Sequence, residues 1–407
     1  MSSPFRGYSS HFGIHNIPFG IASTSSNSTS AVVTRYRDNV IFLQKLQDHL
    51  QDIANLPDNV FSKTSLNEFA AVPRSVQQAV RRKLQELIAK DESLQSLPPG
   101  SVKDIDAVSM HLPVEVGDFT DFSSSSDHVQ NASEAMTGQR SVPPSFYHQP
   151  VGYAGRCSSL DISGTPVERP LGHFFEGKPG QSKVIFGPCK RMDYELEVGA
   201  IIGKPLPRNQ RVLASQADEH VFGYVLVNDW SARDIQRFEM APLGPLNGKN
   251  AGTTISPWVI TSDAMSAFRT QAPPRKHDIQ PHLVDSGKDG LDIKLEVYVS
   301  PPGAKASEGK VWCTSNVSWM YWTIAQCVAH QAIGGCGLRT GDLLATGTVS
   351  GDGDDEHGCI MEYYASETPR RGYLEDNETV TLTGYCGEGV GFGECVATLK
   401  PAQELEI

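Results

Sequence analysis

VFGYVLVND, residues 221–229, is a short apolar and aromatic run that stops at Asn228 and Asp229, and it reads as a buried strand. Working outward, LDIKLEVYV at 291–299 alternates apolar and polar side chains, as a half-buried strand does. Residues 378–385 and 393–399 read as closing strands. One principal helix is expected in this half. It starts near Trp319, places Met320, Ile324, Cys327 and Val328 on one face, and stops at Gly334-Gly335. Many short strands split by Gly, Pro and Asp predict a mainly β chain. A closed β-roll or sandwich fits that pattern better than a doubly wound α/β sheet.

The first part of the chain reads differently. Residues 22–30 are Ser-rich and expected to be mobile, and 39–53 could be helical. Between 75 and 90, Val76, Val80, Leu84, Leu87 and Ile88 fall on one helical face, with Pro73 just ahead of the start. Arg81, Arg82 and Lys83 read as a solvated face. These changes of texture divide the 407 residues into an N-terminal unit, 1–116, and a larger unit, 117–407.

Composition narrows the function classes. Hydrophobic residues make up 39% and charged residues 20%, which suits a globular chain. With 35 basic against 47 acidic residues the net charge is −12, so a phosphate backbone is repelled and nucleic acid is not an expected partner. No eighteen-residue apolar run suggests a membrane span, so no membrane partner is expected. The eight cysteines include no CxxC pair, and the first twenty residues lack an apolar core of a secretory signal. The cysteines therefore read as reduced, in a cytoplasmic protein. No Gly-x-Ser-x-Gly, Walker A or His-Glu-x-x-His motif occurs. The glycines at 387, 389, 391 and 393 precede a strand rather than a helix and read as a tight turn. The acids at 352, 354, 355 and 356 read as a solvated loop, and His11 and His15 as part of a mobile tail.

The candidate chemistry lies in carboxylates. Glu195 and Glu197 flank Leu196 in a strand-like run, so both acids face one side. Paired like charges raise each other's pKa unless a cation neutralises them. Asp229 ends the buried run 221–227, and Asp121 follows another β-like stretch, 114–120. Converging, four such oxygens would suit a hard cation, Mg²⁺ or Ca²⁺, rather than zinc. Taken alone, each acid reads as a surface residue or a turn cap.

Ordered stretches across the chain supply a resemblance. They are HNIPFG (15–20), MHLPVEVGDFTDF (110–122), QPVGYAGRCSS (149–159), DYELEVG (193–199), NDWSARDIQ (228–236), GKNAGTTISPW (248–258), MYWTIAQ (320–326) and GDLLATGTVSG (341–351). Together they resemble the fumarylacetoacetate hydrolase family. The resemblance implies an N-terminal SH3-like barrel, a C-terminal mixed β-roll, a homodimer and a divalent cation. It also implies metal-dependent hydrolysis of the carbon–carbon bond of fumarylacetoacetate to fumarate and acetoacetate, in tyrosine and phenylalanine catabolism.

Position by position, Asp121, Glu195, Glu197 and Asp229 match the family's metal ligands, and Lys249 and Thr253 a further part of that cation site. His128 matches a general base and Glu362 its orienting carboxylate. Arg233, Gln236 and Lys249 match groups that stabilise developing negative charge, while Tyr153, Gln236 and Thr348 match substrate-binding positions. That division is chemically reasonable: an imidazole held by a carboxylate can activate water, and a cation can stabilise an enolate leaving group. Three positions depart. Ser123 and Met240 stand where the family has Tyr, and Thr137 where it has Arg, with Arg140 close enough in sequence to substitute. These departures suggest retained chemistry in an altered pocket. They keep open a paralogue acting on another β-diketo acid or acylpyruvate, whereas intact acids, His128 and Glu362 argue against a catalytically silent binding relative.

Overall fold

The structure is a computed structural model that describes residues 7–177, 182–305, 308–365 and 369–405. A mixed eight-stranded sheet forms its middle. The strand order is Gly152–Ala154, Phe119–Phe122, Leu343–Ala345, Leu196–Ile202, Val221–Asp229, Thr253–Ile255 and Leu160–Ile162, with Ile260–Thr261 pairing to the side of Val221–Asp229. Phe119–Phe122 runs parallel to Leu343–Ala345 and Leu160–Ile162 parallel to Thr253–Ile255, while the other pairings are antiparallel.

Both faces of this sheet are covered, which explains why 221–229 is apolar without alternation. Leu196, Val198, Ala200 and Leu226 pack into one core, together with the second sheet and the Ile324–Ile333 helix. Ile201, Val225, Val227 and Phe119 face the other core, which holds the N-terminal strands and the Arg74–Lys90 helix. The second sheet has five strands in the order Lys310–Asn316, Lys294–Ser300, Thr379–Gly387, Val390–Lys400 and Val167–Glu168. The turn joining Thr379–Gly387 to Val390–Lys400 uses Gly387 and Gly389 at φ of 116° and 75°, so the glycine run is a turn.

The N-terminal sheet is antiparallel, in the order Val102–Asp104, Asn39–Phe42, Asn27–Tyr36, Phe19–Thr24 and Val108–His111. Here the structure corrects several expectations. The Ser-rich stretch is a β-hairpin, because Ala31, Val32 and Val33 give its second strand an apolar centre paired with Ala22, Ile21 and Gly20. Residues 39–42 are a strand rather than helix: the β-branched Val40 and Ile41 pair with Arg35 and Thr34. The 75–90 helix stands as Arg74–Lys90, but Arg81 is buried, with its guanidinium 2.8 Å from Asp263 and bonded to the Asn16 carbonyl.

The helix expected from Trp319 begins only at Ile324. Thr323 accepts the Gln326 N–H at 3.3 Å while the Gln326 side chain accepts the Thr323 N–H at 3.0 Å, and this reciprocal cap sets the start. A further substantial helix, Ser126–Thr137, escaped the sequence reading because it begins inside a Ser-rich stretch. All eight cysteines are free thiols. No helix among the described residues is long and apolar enough to cross a membrane.

Candidate active site

The four predicted acids meet. One carboxylate oxygen from each of Asp121, Glu195, Glu197 and Asp229 lies within 4.8 Å of the others, and all four residues are buried. Strand parity puts them there: Asp121 follows Phe119 by two, Asp229 follows Val227 by two and Glu197 precedes Ile201 by four, so they share the face of those apolar residues. Register does the rest. Asp121 lies opposite Tyr153 and Asp229 opposite Thr253 in the neighbouring strands. Consequently the Tyr153 hydroxyl donates to Asp229 Oδ2 at 2.6 Å and the Thr253 hydroxyl to Asp229 Oδ1 at 3.1 Å.

Lys249 lies between two of the acids, with Nζ 2.5 Å from Glu195 Oε2 and 2.6 Å from Asp229 Oδ2. An ammonium offers donors and no acceptor, so in this state it neutralises the cluster rather than ligating a cation. Its loop is held by Glu239, whose carboxylate accepts the N–H groups of Leu246, Asn247 and Gly248 at 2.7, 3.0 and 2.8 Å. Residue 248 must be glycine, since a Cβ there would sit 2.6 Å from the Gln236 backbone.

Charge remains unevenly satisfied. Burial pushes the Glu195 carboxyl up, but Lys249 and Arg233 outweigh it and hold Glu195 well below the usual carboxylate range. Glu197 has neither oxygen bonded among the described residues, and Asp121 Oδ1 is likewise unpartnered. Burial and the neighbouring acids push both of these carboxyls well above their ordinary values. Orphaned buried carboxylate oxygens beside further oxygens are a donor set suited to a hard cation, so these residues fit a divalent metal.

A second constellation adjoins the first. His128 Nδ1 is 2.9 Å from Glu362 Oε1, while Asn131 Nδ2 donates to Glu362 Oε2 at 2.9 Å and the Ser350 hydroxyl to Oε1 at 2.7 Å. Ser125 caps the Ser126–Thr137 helix by accepting the His128 N–H at 3.1 Å. Burial raises the Glu362 carboxyl, but the His128 contact outweighs it and brings the value down to about 2.

Arg233, the first residue of the Arg233–Glu239 helix, joins the two constellations. Its Nε donates to Asp193 at 2.8 Å and its Nη1 to Glu195 at 2.7 Å and Gln236 at 3.1 Å. Arg233 Nη2 is buried without a partner among the described residues. Asp193 also accepts the N–H groups of Ile360 and Met361 at 2.8 and 2.9 Å, which fixes the turn carrying Glu362. Sequence reasoning did not single out Asp193, Asn131, Ser350 or Glu239. Asp193 opens the quoted DYELEVG stretch, and that was its only signal.

Both constellations border one cavity of about 870 Å³, lined by Asp121, His128, Tyr153, Glu195, Arg233, Gln236, Lys249 and Thr348 among others. The Thr348 hydroxyl is buried without a partner among the described residues. Ser123, Thr137 and Met240 line the same cavity, whereas Arg140 is not among its lining residues. Arg140 is engaged elsewhere, donating to Asn131 Oδ1 at 2.7 Å and to Asp352 at 2.8 Å.

Known proteins share this framework. The family profile described as Fumarylacetoacetate (FAA) hydrolase C-terminal matches residues 119–400, and that described as Fumarylacetoacetase N-terminal matches 15–113. The chain belongs to the fumarylacetoacetate hydrolase family. Among its relatives in that family, the fumarylacetoacetase of Arabidopsis thaliana is 38% identical over 97% of this chain and 97% of its own. That of Bos taurus is 37% identical over the same shares, and that of Dictyostelium discoideum is 36% identical over 98% and 97%. A solved fumarylacetoacetate hydrolase from Exiguobacterium antarcticum superposes with TM-score 0.54 at 17% identity, covering 95% of this chain and 100% of its own. A 5-carboxymethyl-2-hydroxymuconate delta-isomerase from Mycobacterium smegmatis superposes with TM-score 0.51 at 17% identity over the same shares. The family fold thus carries more than one reaction, and the two solved structures speak for the fold alone.

Proposed function

We propose that the chain hydrolyses the carbon–carbon bond of fumarylacetoacetate to fumarate and acetoacetate, acting within tyrosine and phenylalanine catabolism. The observation that carries this reading is the single cavity bordered by both the orphaned acid cluster and the His128–Glu362 pair, in a chain with full-length fumarylacetoacetase relatives. His128 is the general base. Its Nδ1 is occupied by Glu362, which leaves Nε2 to take a proton from water. Glu362 fixes that tautomer and stabilises the imidazolium that forms. His128 then returns the proton to the departing carbon, so that one water is consumed and both products are balanced.

Negative charge that develops on the attacked carbonyl oxygen needs donors. Among the described residues, three side chains lining the cavity have N–H groups without a partner: Arg233 through Nη2, Gln236 through its amide and Lys249 through the third ammonium proton. Asp121, Glu195, Glu197 and Asp229 would hold the divalent cation, Mg²⁺ or Ca²⁺, beside Lys249 and Thr253. When bound there, the cation would supply Lewis acidity toward a β-dicarbonyl and its enolate. Tyr153 and Thr348 line the substrate space.

The same resemblance supports reading residues 1–116 as an SH3-like barrel unit, with five antiparallel strands, and 117–407 as the catalytic β-roll. It likewise supports a cytoplasmic homodimer, for which Phe175, Phe186 and Leu243 offer exposed apolar surface. A second reading, a related β-diketo acid as substrate, is favoured by Ser123, Thr137 and Met240 in the cavity wall. Assay of purified protein with fumarylacetoacetate and with acylpyruvates separates the two readings. Turnover of fumarylacetoacetate that is abolished by exhaustive chelation and restored by Mg²⁺ or Ca²⁺ is expected. Full activity in metal-free protein would refute the cation's role, and faster turnover of an acylpyruvate would install the second reading.

A further inference from the structure

Four lysine and arginine side chains line the cavity, and two of them are already spent on carboxylates. Lys249 pairs with Glu195 and Asp229, and Arg233 with Asp193 and Glu195. Arg140 pairs with Asp352 and does not line the cavity. Among the described residues, Arg191 and Arg237 line it with no side-chain hydrogen bond or ion pair. A substrate with two carboxylates needs such an unneutralised group, and Thr137 cannot provide one.

Arg191 is the better placed of the two. It immediately precedes the Met192–Asp193 strand, and its carbonyl accepts the Arg233 N–H at 3.0 Å. The Leu374 N–H donates to the Met192 carbonyl at 2.8 Å, which ties Tyr373 to the same strand. Tyr364 belongs to the Ile360–Ala365 turn that carries Glu362, and Asp193 accepts two N–H groups of that turn. The Tyr364 and Tyr373 rings stack, with centroids 4.8 Å apart and planes 10° apart, and both line the cavity beside Arg191. Arg191's positive charge acts on both phenols, opposing the burial that pushes them up. One guanidinium and two phenols thus stand together on one wall of the cavity, attached to the backbone frame that positions Arg233 and Glu362.

We propose that Arg191, flanked by Tyr364 and Tyr373, is the subsite that binds a substrate carboxylate in this chain. This inference rests on the fumarylacetoacetate reading, and a guanidinium suits a carboxylate better than an ammonium because its two N–H groups match both oxygens. The test uses the metal-loaded full chain and two readouts. In the first, KM and kcat are measured for fumarylacetoacetate and for its fumaryl monoester. In the second, fumarate binding is measured by calorimetry, which needs no turnover.

Arg191→Met is expected to raise KM for fumarylacetoacetate and Kd for fumarate by about 10- to 100-fold, the usual effect of losing a charged hydrogen-bond partner. The monoester's KM should stay as in the unmodified protein, and Arg191→Lys should fall between the two. Lys190→Met, which removes the adjacent exposed charge, controls for loss of general attraction. Unchanged KM and Kd in Arg191→Met, or a comparable effect from Arg237→Met in its place, overturns the subsite. Equal losses for diacid and monoester also overturn it, as they report general damage. Absence of fumarylacetoacetate turnover in the unmodified protein overturns the function reading instead, and fumarate calorimetry still decides the subsite.

Discussion

His128 and Glu362 lie 234 positions apart in sequence and 2.9 Å apart in the fold. Each oxygen of Glu362 has its own donor, so the imidazole it holds has a fixed orientation. His128→Ala is expected to lower kcat by at least about 10²-fold while the metal still binds, as measured by steady-state kinetics and elemental analysis. Glu362→Gln should slow turnover as well, because an amide stabilises an imidazolium poorly. The pH dependence of stability has a definite sign. A carboxyl depressed from 4.5 to about 2 contributes stability that is complete above 4.5 and is lost as pH falls through about 2. Denaturant titrations should therefore show the wild-type advantage over Glu362→Gln disappearing across that interval.

The Ser126–Thr137 helix shows how an element delivers a residue. Ser125 accepts the His128 N–H at 3.1 Å and donates to the Ser350 carbonyl at 3.0 Å, while Gly138 ends the helix at φ 74°. One hydroxyl thus caps the helix and ties it to Ser350, which itself bonds Glu362. Ser125→Ala should cost about 1 kcal/mol of stability, the usual value of an N-cap, seen as a lower Tm. Faster hydrogen exchange at the His128 amide should accompany it, together with a reduced kcat from the loosened imidazole. Ser125→Thr, which keeps a capping oxygen, should restore most of both. A lower Tm with unaltered exchange at His128 would contradict this account.

At the scale of the molecule, the central sheet lies between two cores, and the acid cluster sits where its strand ends approach one another. The second sheet carries one more buried acid outside the site. Glu394 has an oxygen without a partner among the described residues, and burial pushes its carboxyl from 4.5 up to about 8 against the Tyr8 bond and the Arg35 charge. A raised carboxyl binds its proton more tightly when folded, so its contribution is full below 4.5 and is lost as pH rises through about 8. Glu394→Gln, which imitates the protonated form, should gain on wild type by a few kcal/mol between those values, since a tenfold change in proton affinity is worth up to about 1.4 kcal/mol. Thermal melts at about pH 5 and pH 9 check the sign, and a variant that loses ground at the higher pH refutes it.

Local patterns determined a good deal by themselves. The apolar run 221–229, the alternation of 291–299 and the 74–90 face are properties of neighbouring residues, so the mainly β class and the long N-terminal helix could be read from them. The parity of Glu195 and Glu197 was legible for the same reason. What depended on distant partners was not legible. Residues 39–42 are a strand because 27–36 lies alongside, Arg81 is buried because Asp263 meets it, and the Ser126–Thr137 helix is anchored through Ser350. The family resemblance grouped the four acids as one ligand set, but how they converge, and the roles of Asp193, Asn131 and Glu239, required the register of strands far apart in the sequence. Side-chain period is a property of the local backbone, whereas register and ion pairing come from packing across the chain, and only the tertiary structure decides them.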